Sequence, residues 1–222
     1  MSDQAMEVAE RDAASDGATS TVAASFEALN RNPWALFAEW LALAEESEIN
    51  DPNAMALSTV DADGLPNVRV VLLKGYDERG FVFYTNAQSQ KGSELLGAGK
   101  AAGVLHWKSL RRQVRFRGPV EQVSAEEADA YFQSRSRLSR VGAWASQQSR
   151  PLDKRQSLFD SVEHYENKFD GDLVPRPPHW NGFRVDPVSI EFWMDGKARL
   201  HDRIQVKPTP SKDDWTFEIL YP

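Results

Sequence analysis

The stretch Asn67–Lys91 (NVRVVLLKGYDERGFVFYTNAQSQK) constrains this chain more than any other. Val68 to Leu73 is a run of β-branched and aliphatic residues, the composition of a strand. Asp77-Glu78-Arg79-Gly80 is a turn, with Gly80 free to take a positive φ. Phe81 to Tyr84 is the return strand, so the pattern predicts a hairpin. Either Asn86 or Ser89 then caps a short helix through Leu96, ended by Gly97 and Gly99. Polar groups gather at the seams: Arg69 and Lys74 on the first strand, Tyr84 and Thr85 on the second, Ser89 and Lys91 at the helix start. Cations, hydroxyls and free helix N–H groups together suit a phosphate. The plain alternative is that Arg69 and Lys74 only solvate strand ends.

The flanking chain supplies further strands and a helical cover. Residues 1 to 24 are small, polar and acidic and are expected to form a disordered tail, leaving 25–222 as a single domain. Asn32-Pro33 opens a helix with Trp34, Phe37, Leu41 and Ala44 on one stripe. Ala54–Val60 and Ala101–Trp107 read as strands, and Arg111–Val123 as a long one. On that strand Val114, Phe116 and Val120 face one way, and Arg111, Gln113, Arg115 and Arg117 the other. The arginine face is either a solvated side of an antiparallel sheet or the border of an anionic ligand or acidic partner.

Ser124-Ala125-Glu126-Glu127 has capping-box form and opens a helix through Gln133. Ser134 to Ser149 (SRSRLSRVGAWASQQS) sets arginines, serines and glutamines around Val141, Ala143 and Trp144. Asp153 starts a helix whose stripe of Leu158, Val162, Tyr165 and Phe169 reads as packing. Pro175–Trp180 is a rigid loop, and Asn181–Met194 is a strand pair or one bent strand. In Arg199-Leu200-His201-Asp202-Arg203 strict alternation puts Arg199, His201 and Arg203 on one face, with Leu200 and Ile204 turned into the sheet. Two arginines flanking a histidine suit an anion. Trp215–Leu220 closes the sheet. Strands outnumber helices, which predicts a mainly β fold, a small antiparallel barrel with helices outside it.

Composition removes several chemistries. The absence of cysteine rules out disulfides, a thiolate nucleophile and sulfur-bound metal, and suits a reducing compartment. A net charge of −7 argues against a general nucleic-acid binder. No apolar run is long enough for a membrane span and no secretory signal is visible, so a cytoplasmic location is expected. There is no Walker loop, dinucleotide fingerprint, G-x-S-x-G elbow or H-E-x-x-H, and no metal site is expected. Separate clusters of Arg, Lys, Ser and Tyr, with Trp and Gln beside them, suit a phosphate-bearing aromatic ligand.

A resemblance sharpens this. RVVLLKGYDERGFVFYTN, HWKSLRRQVR, GPVEQVS, YFQSRSR, GAWASQQS, VPRPPHWNGFRV, IEFW and RLHDR occur in that order. From Pro33 to the C-terminus the chain resembles the pyridoxamine (pyridoxine) 5′-phosphate oxidases, flavoenzymes of vitamin B6 metabolism. The resemblance implies an FMN-binding split β-barrel with peripheral helices, and a homodimer whose active sites are shared between chains. It implies oxidation of pyridoxine 5′-phosphate and pyridoxamine 5′-phosphate to pyridoxal 5′-phosphate, with O2 reduced to H2O2.

Carried over residue by residue, FMN would contact Arg69, Val70, Val71, Leu72, Leu73, Lys74, Tyr84, Thr85, Gln90, Lys91, Gln113, Gln148, Ser149, Trp193 and Arg203. The substrate would contact Lys74, Tyr131, Arg135, Ser139, Arg199 and His201, with Arg199 and His201 over the reacting ring as the catalytic pair. Three departures stand out. Gln90 replaces a usual Arg, a loss of about 1.5–3 kcal/mol if that cation grips phosphate. Ser136 replaces a Pro, which is expected to loosen the loop presenting Arg135, and Arg140 replaces a Gln. No basic, tyrosine-containing arm is found in residues 1 to 32. Two alternatives are a flavin reductase on the same barrel and a non-enzymatic flavin or pyridoxal-phosphate carrier. The set Tyr131, Arg135, Ser139, Arg199 and His201 argues against the reductase, which needs no second phosphate clamp.

Overall fold

The computed structural model describes residues 21–169, 171 and 173–222. Its elements in order are α1 (Val22–Ala28), α2 (Pro33–Ser47), β1 (Ala54–Val60), β2 (Pro66–Leu72), β3 (Gly75–Asp77), β4 (Gly80–Asn86) and α3 (Gln90–Ala98). Then come β5 (Lys100–Trp107), β6 (Arg112–Gln122), α4 (Ala125–Ser134), α5 (Arg137–Ala145) and α6 (Arg155–Lys168). The chain ends with β7 (Trp180–Val185), β8 (Ser189–Met194), a 3-10 turn (Lys197–Arg199), β9 (Asp202–Pro208) and β10 (Trp215–Ile219).

All strand pairs are antiparallel, and they form one curled sheet. The main path runs β10-β9-β8-β6-β5-β1-β2, and a second branch runs β3-β4-β7 and rejoins β6. β6 therefore serves both branches: Arg112–Arg117 pairs with β8, and Val120–Gln122 pairs with β7. Gly118 sits where it passes from one to the other. A Cβ there would overlap the Asp186 carbonyl oxygen, so only glycine allows the close approach.

The inner face is apolar by strand alternation: Met55, Leu57, Leu105, Val114, Phe116, Phe192 and Ile204 are all buried. Helix α2 plugs the curl. Its Asn32 cap accepts from the Trp34 and Ala35 amides, Pro33 opens it, and Trp34, Leu36, Phe37, Trp40 and Ala44 point inward. Trp40 joins the stripe expected from the sequence, while Leu41 is only partly buried. Phe37 makes edge contacts with Tyr76 and Phe81 at 4.7 and 5.1 Å. A second, smaller core forms under α4–α6, around Phe132, Val141, Val174 and Trp180. Among the described residues no helix is long and apolar enough to cross a membrane.

Three expectations are corrected. The tail does not extend to residue 24: Thr21 caps α1 by accepting from Ala24 N–H, and Val22 and Phe26 are buried. Residues 1–20 lie outside the described residues. Val68–Leu73 does not form a hairpin with Phe81–Tyr84. β2 pairs with β1, and the return strand pairs with the short β3 instead. The crossing falls between two amide bonds: Leu73 N–H donates to Asn53 O, and Lys74 N–H donates to Val82 O. Finally, the RLHDR segment does not alternate as a strand. The ladder ends at Met194↔Asp202, so residues 195–201 have no partner strand and fold into a turn. Ala198 and Arg199 take φ of 52° and 64°, and Leu200 is 73% exposed rather than turned into the sheet.

Candidate active site

The expected site residues fall into two groups. The first surrounds the end of β4 and the start of α3. Ser89 Oγ accepts from the Gly92 amide and caps the helix. Lys91 Nζ lies 2.9 Å from Gln148 Oε1, 3.3 Å from Thr85 Oγ1 and 3.4 Å from Ser89 Oγ. Thr85 also donates to Gln148 at 3.1 Å. Burial, with Arg69 adding repulsion, pulls the Lys91 ammonium below its usual pKa. A partly desolvated ammonium surrounded only by neutral oxygens is chemically suited to an anion.

Arg69 stands beside it, turned inward. It donates to Thr59 and to the Leu57 carbonyl, and its guanidinium pairs with Glu94 at 2.9 Å. Burial alone would raise the Glu94 carboxyl, but Thr59, Asn67 and Arg69 together hold it below the ordinary carboxylate range. Arg69 and Glu94 neutralise each other, which leaves Lys91 as the uncompensated charge of the three. Gln90, Ser149 and Arg150 line an adjoining open groove of about 980 Å³. Ser149 takes φ of 70° at the turn that presents it.

A second pocket of about 370 Å³ adjoins this wall, and Tyr84, Thr85, Arg135, Ser139, Gln148 and Trp180 line it. Tyr84, Tyr131 and Trp180 are nearly parallel, with ring centroids 4.0 Å apart for Tyr84–Tyr131 and 5.2 Å for Tyr84–Trp180. Arg135 lies over Trp180 at 4.9 Å, and its buried Nη1 has no hydrogen-bond partner. Burial, and after it Glu127 and Tyr131, pushes the Tyr84 phenol up to about 12, so it stays protonated and able to donate. Ser136 does not loosen this loop. It caps α5, and its hydroxyl bonds Ser139 Oγ at 2.8 Å. Arg140 reaches back to Gln133 Oε1 at 2.6 Å.

The second group lies across β6, β8 and β9. Register sets Gln113, Trp193 and Arg203 side by side in one row on the outer face. Arg203 is held by Glu191 Oε1 at 2.9 Å and by the Tyr221 carbonyl at 2.7 Å, and Arg115 occupies the other Glu191 oxygen. In the turn that follows β8, the His201 ring packs on Trp193 with centroids 4.7 Å apart. His201 Nδ1 lies 3.1 Å from Asp195 Oδ1, whereas Arg199 is exposed. The turn closes tightly because Gly196 has no Cβ to meet the Leu200 carbonyl.

The remaining expected contacts are placed less uniformly. Val70 and Leu72 point out of the open face of β2, Val71 is partly buried, and Leu73 is buried in the core. The Leu73 backbone is itself engaged, its N–H and its carbonyl both bonded to Asn53. Lys74 is exposed at the crossing between branches. Sequence reasoning missed Thr59, Glu94, Trp180, Glu191 and Asp195, which contact the side chains Arg69, Arg135, Arg203 and His201. Inward register marks Thr59, and a buried acid one turn after Lys91 marks Glu94. The others depend on pairings between distant segments.

A curled antiparallel sheet plugged by a helix, with anion-suited sites at its strand ends, defines a split β-barrel. The same fold occurs in an FMN-binding protein from Nostoc punctiforme, at 19% identity and a TM-score of 0.69, covering 86% of this chain and 98% of that one. Residues 43–169 match the family model "Pyridoxamine 5′-phosphate oxidase". Residues 180–222 match the "Pyridoxine 5′-phosphate oxidase C-terminal dimerisation region". The chain belongs to the pyridoxamine 5′-phosphate oxidase family. A Brucella canis relative named pyridoxine/pyridoxamine 5′-phosphate oxidase is 63% identical over 191 residues, 86% of this chain and 94% of its own length. PhzG from Burkholderia lata, solved in complex with tetrahydrophenazine-1-carboxylic acid, is 32% identical with a TM-score of 0.79, covering 86% of this chain and 93% of that one.

Proposed function

We propose that this chain is an FMN-dependent oxidase that converts pyridoxine 5′-phosphate and pyridoxamine 5′-phosphate to pyridoxal 5′-phosphate, with O2 as the final acceptor and H2O2 as its product. The observation that carries this is the adjacency of two anion-suited sites. Thr85 belongs to the Lys91–Gln148 cluster, and its neighbour Tyr84 belongs to the Arg135–Trp180 pocket. One phosphate-bearing ligand needs one such site; a cofactor phosphate and a substrate phosphate need two. A flavin reductase would have no use for the second.

The donors present fit FMN. A partly desolvated ammonium and a threonine hydroxyl suit its phosphate. Gln113 and Trp193 offer an amide and an indole to its ring system. When bound, FMN supplies the two-electron redox chemistry. The chain supplies position and charge. Arg135, with its free Nη1, and Ser139 hold the substrate phosphate. Arg199 orients the pyridine ring, and His201 offers a ring nitrogen to the departing proton.

A homodimer with shared sites completes the assignment. The outer face of β2 leaves Val68 and Val70 65% and 68% exposed, an apolar surface that a second copy would cover. The match of residues 180–222 to a dimerisation region supports the same view. Trp193, His201 and Arg203 of the second group lie in that region, so each site would draw Lys91, Thr85 and Arg135 from one chain and these three from its partner. We place the enzyme in the cytoplasm, in keeping with its cysteine-free composition. Anaerobic addition of pyridoxine 5′-phosphate to the FMN-loaded protein should bleach the flavin absorption band. An unchanged spectrum with proven substrate binding would leave a carrier as the answer.

A further inference from the structure

We propose that Asp195 is the positioning residue of His201: it fixes the imidazole tautomer that leaves Nε2 as proton acceptor, and so favours the alcohol over the amine substrate. The inference rests on the placement of His201 at the substrate given above. Its own basis is the turn between β8 and β9.

Asp195 is fixed from two directions. Its amide donates to the Arg111 carbonyl at 3.0 Å, and the Arg111 guanidinium pairs with Oδ2. That leaves Oδ1, which lies 3.1 Å from His201 Nδ1. The Gly196 N–H points at the same nitrogen from 3.3 Å. Nδ1 cannot donate to one and accept from the other. A carboxylate facing a bare ring nitrogen at 3.1 Å would set two lone pairs against each other, so the proton sits on Nδ1 and is donated to Asp195. The longer Gly196 contact is then the subordinate one. Trp193 backs the ring, and Asp202, the next residue, is engaged by the Val22 amide at 2.6 Å and turned away from this pairing. Nε2 is the nitrogen left for chemistry.

The two substrates make different demands on that nitrogen. Oxidising the alcohol breaks a C4′–H bond, and bound FMN would be the two-electron acceptor for the hydride. The oxidation also breaks an O–H bond, whose proton goes to Nε2 while the freed pair becomes the second C–O bond. The amine is an ammonium near neutral pH and must first give one proton to solvent; its lone pair can then form the C–N double bond, so it needs no base at the moment of hydride loss. A carboxylate that presents Nε2 in its basic form therefore matters more for the alcohol.

The test uses FMN-loaded Asp195→Asn and Asp195→Ala proteins, with His201→Ala as reference. Two-bond 1H–15N spectra of 15N-histidine-labelled protein should show His201 as the Nδ1–H tautomer in the parent and a loss of that preference in both Asp195 variants. In anaerobic single turnovers, flavin reduction by pyridoxine 5′-phosphate should slow about tenfold more than reduction by pyridoxamine 5′-phosphate, less than the roughly 10²–10⁴-fold worth of a whole base. Adding Asp195→Ala to His201→Ala should change nothing further. An unaltered tautomer, or equal slowing of both substrates, overturns the role of Asp195 while leaving the site intact. If His201→Ala alone leaves both reactions unchanged, the placement of His201 fails, and this role fails with it.

Discussion

Replacing Trp180 with leucine isolates what the aromatic stack contributes. Leucine retains much of the apolar burial of a residue that is 6% exposed. It loses the parallel contact with Tyr84 at 5.2 Å, the edge contact with Phe132 at 5.0 Å and the Arg135 guanidinium at 4.9 Å. Two ring pairs at about 0.5–1.5 kcal/mol each and one partly desolvated cation–π contact at about 0.5–2 kcal/mol sum to roughly 1.5–5 kcal/mol. Urea unfolding should show a lower midpoint at an unchanged slope. The second effect is on ligand binding. Arg135 loses the surface that holds its plane, so substrate Kd should rise about tenfold, or ~1.4 kcal/mol. FMN affinity should fall less, because Lys91 and Gln148 stand outside the stack. A stability loss below about 1 kcal/mol would refute the energetic reasoning. A full loss with unchanged substrate Kd would show that Trp180 is core only and does not present Arg135.

Three further outcomes are expected. Gln90→Arg should tighten FMN binding in a fluorescence titration of apoprotein; equal affinity, together with a loss in Arg150→Ala, would show that Arg150 of the same groove already serves the phosphate. Glu94→Gln should flatten the acid limb of stability. The folded pKa of Glu94 lies below its ordinary 4.5, so its stabilisation is complete above that value and is lost as pH falls through the lowered one. Denaturant midpoints at pH 7 and pH 3 should converge in the variant relative to the parent, and identical pH profiles would contradict the Arg69–Glu94 account. Val70→Asp puts a charge on the open sheet face and should give monomers in sedimentation together with reduced FMN content; a dimer that keeps its flavin would remove that face from the interface.

Local chemistry made much of this readable. Strand β1 and the Asn32 cap follow directly from alternation and capping, and the Ser89 cap from a serine ahead of a helical run. The misassigned hairpin shows where local reading stops. Val68–Leu73 and Phe81–Tyr84 both look like strands, yet the break at Leu73–Lys74 depends on Asn53 and Val82, which no local pattern brings to it. The RLHDR error has the same origin. Alternation is informative only while a partner strand exists, and β8 ends at Met194. The resemblance singled out Arg69 and Arg135 as expected contacts. The groups that contact them, Glu94 and Trp180, were not singled out, because their value comes from packing between α3 and β2 or between β7 and α4.

The double membership of β6 also sets an order of events during synthesis. Its pairing with β5 is a neighbouring hairpin, cheap in loop entropy. Its pairing with β8 joins Arg115 to Glu191 across 76 residues and waits for the last third of the chain to emerge. Until then the ribosome-bound chain carries an unpaired edge along Arg112–Arg117, beside the still uncovered Val114 and Phe116. A nascent chain stalled after Val185 should thus bind chaperones and be cut readily by protease, and one extended past the final strand should resist both. Equal protease resistance of the two would mean that β6 finds a temporary partner before its own arrives.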